Sequence, residues 1–239
     1  MLPVSEHKKR IIANVSDVRR RIAFAADQAG RSPDAITLMA VTKTQPAEKI
    51  IDCYEAGIRA FGENRVQEFA TKRPQLDLSG ATFILIGQLQ SNKINKALEL
   101  FSEIHSVDCL RLAERINAAV ERLGKPPMPI AIEINTGDPA KAGLAPESPE
   151  LEQLLQAAER LQHIRIQGLM TIPPFTEDPE GARPYFRRLR ELRDSIDGRS
   201  LPGIDMQILS MGMSHDFEIA IEEGSTCVRV GTAIFGERH

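Results

Sequence analysis

Lys43 is the residue of this 239-residue chain whose setting most favours covalent chemistry. It directly follows ITLMAVT at 36–42, an apolar, β-branched run typical of a buried strand. Partial burial at a strand end disfavours a charged ammonium, and the neutral amine is the form that attacks a carbonyl to give a Schiff base. A lysine whose stem covers apolar surface while its head reaches water is the competing interpretation.

Small and hydroxyl-bearing residues follow the last two predicted strands, in LSMGMSHDF at 209–217 and VRVGTAIFG at 228–236. Barrel enzymes frequently hold phosphate in the loops after strands seven and eight, where free amides and a glycine allow close approach. We therefore predict a phosphate site at Ser214, Gly231 and Thr232. The alternative is that Gly212 and Gly231 only provide tight turns.

Arg229 lies inside the otherwise apolar stretch TCVRVG at 226–231. A buried guanidinium is costly unless it is paired or bound to a ligand. Its partner is therefore either a ring nitrogen of a ligand or a buried acid such as Glu133.

Short apolar stretches alternate with amphipathic helical segments along the chain. The strand candidates cover 36–42, 59–62, 82–87, 103–107, 129–134, 164–170, 205–211 and 226–231. Parallel strands need crossover connections, so this alternation predicts a parallel sheet, and eight strands close a (β/α)8 barrel. The length is close to the roughly 250 residues typical of that barrel, so we predict one domain over residues 1–239.

The helical segments have recognisable ends. An extra N-terminal helix is expected from Ser5 as a cap to Gly30, and another over 108–123 with Asp108 as its cap and Gly124 after it. Arginine clusters at 19–21 and 187–190 indicate solvated helix faces.

Composition excludes several classes of protein. With 42% hydrophobic residues, 26% charged residues and a net charge of −3, the chain is typical of globular proteins and carries no basic stripe for nucleic acid. No apolar run approaches the roughly 18 residues of a membrane span, and the N-terminus lacks a signal peptide's apolar core, so we expect a cytoplasmic location. The three cysteines and five histidines show no metal-ligand spacing.

The chain also resembles a known family over nearly its whole length, the pyridoxal phosphate homeostasis proteins, whose fold is that of the N-terminal barrel of alanine racemase. The motifs that carry the resemblance are LMAVTKTQP around Lys43, FGENRVQE at 61–68, IGQLQSNK at 86–93, HSVD at 105–108, EINTGDPAKAG at 133–143, GLMTIPP at 168–174 and LSMGMSHDFEIAIEEGSTCVRVGTAIFG at 209–236. One departure stands out, because Phe83-Ile84 occupies the place of the family's usual aromatic-histidine pair.

The resemblance implies pyridoxal 5'-phosphate (PLP) as the cofactor, held as an aldimine on Lys43. It further implies that Ser214, Gly231 and Thr232 face the phosphate and Arg229 faces the ring nitrogen, and Asn64 is a further expected contact. We therefore expect a monomer that serves intracellular PLP homeostasis by buffering or supplying the cofactor, with PLP-dependent apo-enzymes as partners.

A carrier role is favoured over catalysis for three reasons. An arginine at the ring nitrogen keeps that nitrogen unprotonated and the ring a poor electron sink. Tyr54 and Tyr185, the only tyrosines, fall in predicted helices, and we expect no room after His239 for a racemase's second domain. The alternatives are a weak PLP-dependent racemase or lyase, with the proton from His105, Cys109 or a loop residue, and a Schiff-base aldolase without a cofactor.

Overall fold

The computed structural model describes residues 6–137 and 141–237. Within them eight strands pair in parallel, each with its neighbour along the chain, and the last pairs with the first to close a barrel. The strands are β1 (Thr37–Val41), β2 (Ala60–Glu63), β3 (Thr82–Leu85), β4 (Glu103–Val107), β5 (Met128–Glu133), β6 (Ile164–Met170), β7 (Ile204–Ser210) and β8 (Cys227–Val230). All eight strand predictions are confirmed.

Helices connect the strands on the outside of the barrel. They are α1 (Glu6–Gln28), α2 (Ala47–Glu55), α3 (Val66–Lys72), α4 (Ile94–Leu100), α5 (Leu110–Arg122), α6 (Pro149–Ala157), α7 (Arg183–Asp197), α8 (Phe217–Glu222) and α9 (Thr232–Phe235). The predicted (β/α)8 class with an extra N-terminal helix is therefore confirmed.

Alternation along the strands divides the apolar residues into two layers. The interior of the barrel holds a small cluster: Met39, Ala60, Ile84, Ile86 and Cys227. The larger layer lies between strands and helices, where Phe83 stacks on Phe61 at 5.5 Å between ring centroids. The Phe83-Ile84 pair thus contributes one ring to the outer layer and one aliphatic side chain to the interior.

Of the two N-caps predicted from the sequence, one differs in the structure and the other cannot be compared. The N-cap of α5 is Cys109, which makes no side-chain capping bond, so the prediction of Asp108 as the cap was wrong. Ser5 lies outside the described residues. Gly30 and Gly124 follow their helices with φ of 65° and 59°, the left-handed conformation in which glycine ends a helix at least cost.

Candidate functional site

Lys43 lies two residues beyond the end of β1 and is half-buried. It lines a small cavity together with Gly231 and Thr232, and the other walls of that cavity are Val41, Gln45, Phe235 and Gly236. The end of the first strand and the loop after the last strand therefore meet at one place. This follows from closure of the barrel, because β8 pairs with β1.

The backbone around Lys43 forms a tight turn. The amide of Gln45 donates to the carbonyl oxygen of Thr42 at 3.0 Å, with Lys43 and Thr44 at the centre of the turn. Thr44 has a φ of 64°, a left-handed conformation that costs a residue other than glycine about 1–3 kcal/mol. The chain thus leaves the barrel sharply just after Lys43.

Ser214 joins the two loops predicted to hold phosphate. Its hydroxyl oxygen accepts hydrogen bonds from the amides of Gly231 at 3.1 Å and Ala233 at 3.2 Å, at the start of α9. Asp216 shapes the loop around Ser214, because its carboxylate accepts from the amide of Met213 at 2.6 Å. All three predicted phosphate residues, Ser214, Gly231 and Thr232, therefore lie beside one another.

Gly212 and Gly231 differ in whether the surrounding structure requires glycine at that position. Gly212 has a φ of 95°, and a Cβ there would lie 2.6 Å from the Cβ of Ala220, so the turn interpretation holds for it. Gly231 has a φ of −116°, and a Cβ there would lie 3.6 Å from Val41, an ordinary contact. Within the described part of the chain neither backbone conformation nor packing requires glycine at 231, so the tight-turn interpretation does not explain this residue.

Arg229 is buried in the barrel and hydrogen-bonded to residues at the carboxyl ends of β7 and β6. Its guanidinium donates to the carbonyl and hydroxyl oxygens of Ser210 at 2.6 and 2.9 Å and to the carbonyl oxygen of Thr171 at 2.7 Å. Burial lowers the pKa of the guanidinium. Arginine has five N–H donors, so two remain for a ligand. Over residues 6–137 and 141–237 its hydrogen bonds go to Ser210 and Thr171 and not to Glu133, although the negative charges of Asp216 and Glu133 act on the guanidinium and oppose the lowering of its pKa.

Asn64 directly follows β2 but lines a different cavity from Lys43. The residues around that second cavity are Asn64, Arg65, Val66, Gln67, Gly87, Gln88, Gln90 and Lys93. The side-chain oxygen of Asn64 is buried and has no hydrogen-bond partner among the described residues. The structure therefore does not group Asn64 with Lys43 in the way that the resemblance implies.

Glu133 is a buried acid that the sequence analysis considered only as a partner of Arg229. It is the last residue of β5 and is 7% exposed. Burial, together with the nearby carboxylate of Asp108, raises the pKa of Glu133 to about 7, and the charge of Arg229 opposes this. A carboxyl that titrates near neutral pH therefore lies at the carboxyl end of the strands.

The alternative proton donors lie elsewhere or in other surroundings. His105 is 2% exposed, approaches the carboxylate of Glu103 at 2.9 Å and lines a cavity at the amino ends of the strands. Burial raises the pKa of the Cys109 thiol, which disfavours its reactive thiolate. The hydroxyl of Tyr54 donates to the carbonyl of Ser79 at 2.8 Å. None of these three residues lines the Lys43 cavity.

Tyr185 lies in α7, as predicted, and packs closely on the loop after β5. A Cβ on Gly137 would lie only 2.2 Å from its ring. The ring of Tyr185 therefore lies beside the loop at the carboxyl end of β5, which its position in a helix did not predict.

Part of the motif EINTGDPAKAG, residues 138–140, falls outside the described residues. Among those that are described, no group of three or more His, Cys, Asp or Glu could hold a metal ion.

Comparison with known proteins decides the family. Residues 13–239 match the family model of the alanine racemase N-terminal domain. The pyridoxal phosphate homeostasis protein of Aquifex aeolicus is 42% identical over 225 residues, which cover 94% of this chain and 96% of the relative. The protein of the same name from Escherichia coli is 41% identical, with 95% and 97% covered. The chain belongs to the pyridoxal phosphate homeostasis protein family.

Solved structures agree with this family assignment. PipY of Synechococcus elongatus, solved with PLP bound, has a TM-score of 0.82 and 36% identity, and the match covers 95% of this chain and all of PipY. An alanine racemase of Clostridium difficile has a TM-score of 0.73 at 16% identity, over 96% of this chain and 57% of the racemase. The racemase shares the fold alone.

Proposed function

We propose that this protein binds pyridoxal 5'-phosphate, holds it as a Schiff base on Lys43, and buffers or supplies it to PLP-dependent apo-enzymes. The observation that carries the proposal is the single cavity shared by Lys43, Gly231 and Thr232. An amine beside the start of a helix that carries hydroxyl groups fits a ligand that is both an aldehyde and a phosphate. The homologues named for PLP homeostasis and the PLP-bound PipY support the same ligand.

Each proposed contact uses chemistry that the side chain has available. The aldehyde of PLP supplies an electrophile, and Lys43 supplies the amine. The hydroxyls of Ser214 and Thr232 and the amide of Thr232 donate to phosphate oxygens, while the amides of Gly231 and Ala233 donate to the Ser214 hydroxyl oxygen. Arg229, with two donors left, addresses the ring nitrogen, and Asn64 is proposed as a further contact although it lines the second cavity.

A carrier role without catalysis fits these residues best. A guanidinium at the ring nitrogen disfavours protonation there, so electron withdrawal by the ring is weak. Racemisation also needs a second acid-base group, and among the described residues His105, Cys109, the two tyrosines and Glu133 do not line the Lys43 cavity. This disfavours the weak racemase or lyase.

Two further features complete the proposal. We propose a cytoplasmic location and a monomer, as expected from the sequence. None of the helices among the described residues combines the length and the apolar character of a membrane span.

Transfer of the cofactor tests this function. The protein is loaded with PLP, freed of excess ligand and mixed with an apo-enzyme, and the rate of activation is compared with that given by free PLP. We expect activation together with loss of the protein's visible absorbance. A protein that shows no such absorbance contradicts covalent holding and favours the aldolase, and robust racemase turnover contradicts the carrier role.

A further inference from the structure

A buried ion cluster lies directly behind the turn that carries Lys43. The ammonium of Lys72, at the end of α3, has three acceptors: Glu63 at 3.1 Å, Glu68 at 2.5 Å and the carbonyl oxygen of Thr42 at 3.0 Å. The Lys72 side chain is 10% exposed, and that of Glu63 is fully buried. We call Glu63, Glu68 and Lys72 the acid-lysine cluster.

The acid-lysine cluster holds the residues on both sides of Lys43. On one side, the hydroxyl of Thr42 donates to Glu63 at 2.7 Å and its carbonyl accepts from Lys72. On the other side, the amide of Thr44 donates to Glu68 at 2.5 Å. Three bonds from outside the turn thus fix the peptide units that flank the lysine.

Thr44 shows why such support is needed. Its φ of 64° is strained for a residue with a branched Cβ, and such a conformation persists only where the surrounding structure enforces it. Besides the Gln45–Thr42 bond across the turn, the bond from the Thr44 amide to Glu68 holds this conformation from outside the turn. Without that acceptor the turn can relax toward ordinary backbone angles, and the Lys43 side chain then points elsewhere.

Stability alone gives a weak reason for the acid-lysine cluster. Removing charges from water offsets much of the attraction between them, so buried ion pairs are poor stabilisers. Burial raises the pKa of Glu63, whose second carboxylate oxygen has no hydrogen-bond partner among the described residues. A costly cluster that contacts both neighbours of one lysine indicates a role in placing that lysine.

We propose that Glu63, Glu68 and Lys72 are positioning residues, which hold the Thr42–Thr44 turn so that the Lys43 amine faces the cavity at Gly231 and Thr232. The inference rests on the proposed function, because it takes Lys43 as the residue that forms the Schiff base with the aldehyde of PLP. None of the three side chains lines that cavity. Their effect is therefore on the rate of capture and not on direct contacts with the ligand.

Variants of Glu68 test the proposal, because this side chain is 27% exposed and its loss is tolerable for folding. Glu68→Ala removes the acceptor for Thr44, whereas Glu68→Gln keeps an oxygen at the same place. Glu114→Ala is the matched control, since Glu114 is a helical carboxylate paired with Arg160 at 2.7 Å on another part of the barrel. Cofactor-free proteins are mixed with PLP, and the rise of visible absorbance is followed by stopped flow, with thermal unfolding measured in parallel.

We expect capture to slow by about tenfold or more in Glu68→Ala, the effect of roughly one hydrogen bond on a barrier. Glu68→Gln and Glu114→Ala should capture at nearly the wild-type rate, even where their unfolding temperatures fall as far as that of Glu68→Ala. Equal rates in Glu68→Ala and wild type would overturn the positioning role alone. Absence of capture by the wild-type protein would overturn the proposed function and this inference with it.

Discussion

Ser214 is the residue whose two roles can be separated by substitution. Its hydroxyl oxygen accepts from the amides of Gly231 and Ala233, as an N-cap side chain does. We predict that Ser214→Ala lowers the free energy of unfolding of the cofactor-free protein by about 1 kcal/mol. We also predict weaker PLP binding, because a donor to the phosphate is lost.

Ser214→Thr keeps the hydroxyl and serves as the comparison for Ser214→Ala. Urea unfolding gives the stability, and absorbance titration gives the affinity for PLP. If Ser214→Ala binds PLP as tightly as the wild type does, the hydroxyl has no part in the phosphate site.

Glu133 makes stability depend on pH. Its pKa rises from 4.5 to about 7 on folding, so the folded protein binds more protons than the unfolded chain between these values. The free energy of unfolding therefore falls as the pH rises from about 4.5 to 7, by about 3 kcal/mol from this residue. We predict that Glu133→Gln removes this loss and is the more stable protein at pH 8.

Urea unfolding of the cofactor-free protein at pH 5, 6, 7 and 8 measures the effect. Glu121→Gln is the control, because the Glu121 side chain is 66% exposed and its charge costs little. Parallel stability curves for the wild type and Glu133→Gln would show that Glu133 is not a neutral-pH titrating group.

At the residue scale, position relative to the strands made most of the candidate site predictable. Lys43, Gly231 and Thr232 each follow a strand that the apolar pattern marks, and closure of the barrel brings them together. The raised pKa of Glu133 and the contacts of Lys72 could not be predicted, because both depend on which side chains meet across elements distant in sequence.

At the scale of elements, β6 and β7 are joined by an unusually close approach. A Cβ on Gly168 would lie 1.8 Å from the carbonyl oxygen of Ile208, a backbone atom that cannot move aside. The register of β6 shifts on both of its sides near this glycine. Gly168 is thus the residue that lets these two strands pair.

We predict that Gly168→Ala destabilises the protein by about 3 kcal/mol or more, because backbone must shift in the middle of the barrel. Gly198→Ala is the comparison, since a Cβ there would lie 3.4 Å from its nearest neighbour, an ordinary contact. Thermal unfolding of both variants checks the prediction. Similar unfolding temperatures for the two would refute the account of the β6–β7 contact.

Helix positions were predictable from sequence, but the partners of their polar faces were not. The arginines at 187–190 were expected on a solvated helix face, and Arg187 and Arg188 are exposed while Arg190 is half-buried. Arg187 and Arg190 donate to the buried carboxylate of Glu223 at 2.9 and 2.8 Å. That acid lies 33 or more positions along the chain, beyond the reach of any pattern within one helix.

At the scale of the whole molecule, the two ends of the barrel have different surroundings. The carboxyl ends of the strands carry Lys43, Ser214 and the loop at Gly231, whereas the amino ends carry His105 and Glu103. The (β/α)8 class was predictable because eight strands alternate with helices. That residues 1–239 act as one domain and one monomer stays a prediction.

Trapping the covalent bond between Lys43 and PLP tests the central claim most directly. The purified protein is mixed with PLP, reduced with borohydride, digested and mapped by mass spectrometry. Lys43→Ala is compared with Lys49→Ala, which removes another half-buried lysine nearby. We predict one phosphopyridoxyl adduct on Lys43, present in Lys49→Ala and lost in Lys43→Ala. An adduct on a different side chain, or none in the wild-type protein, would contradict the account.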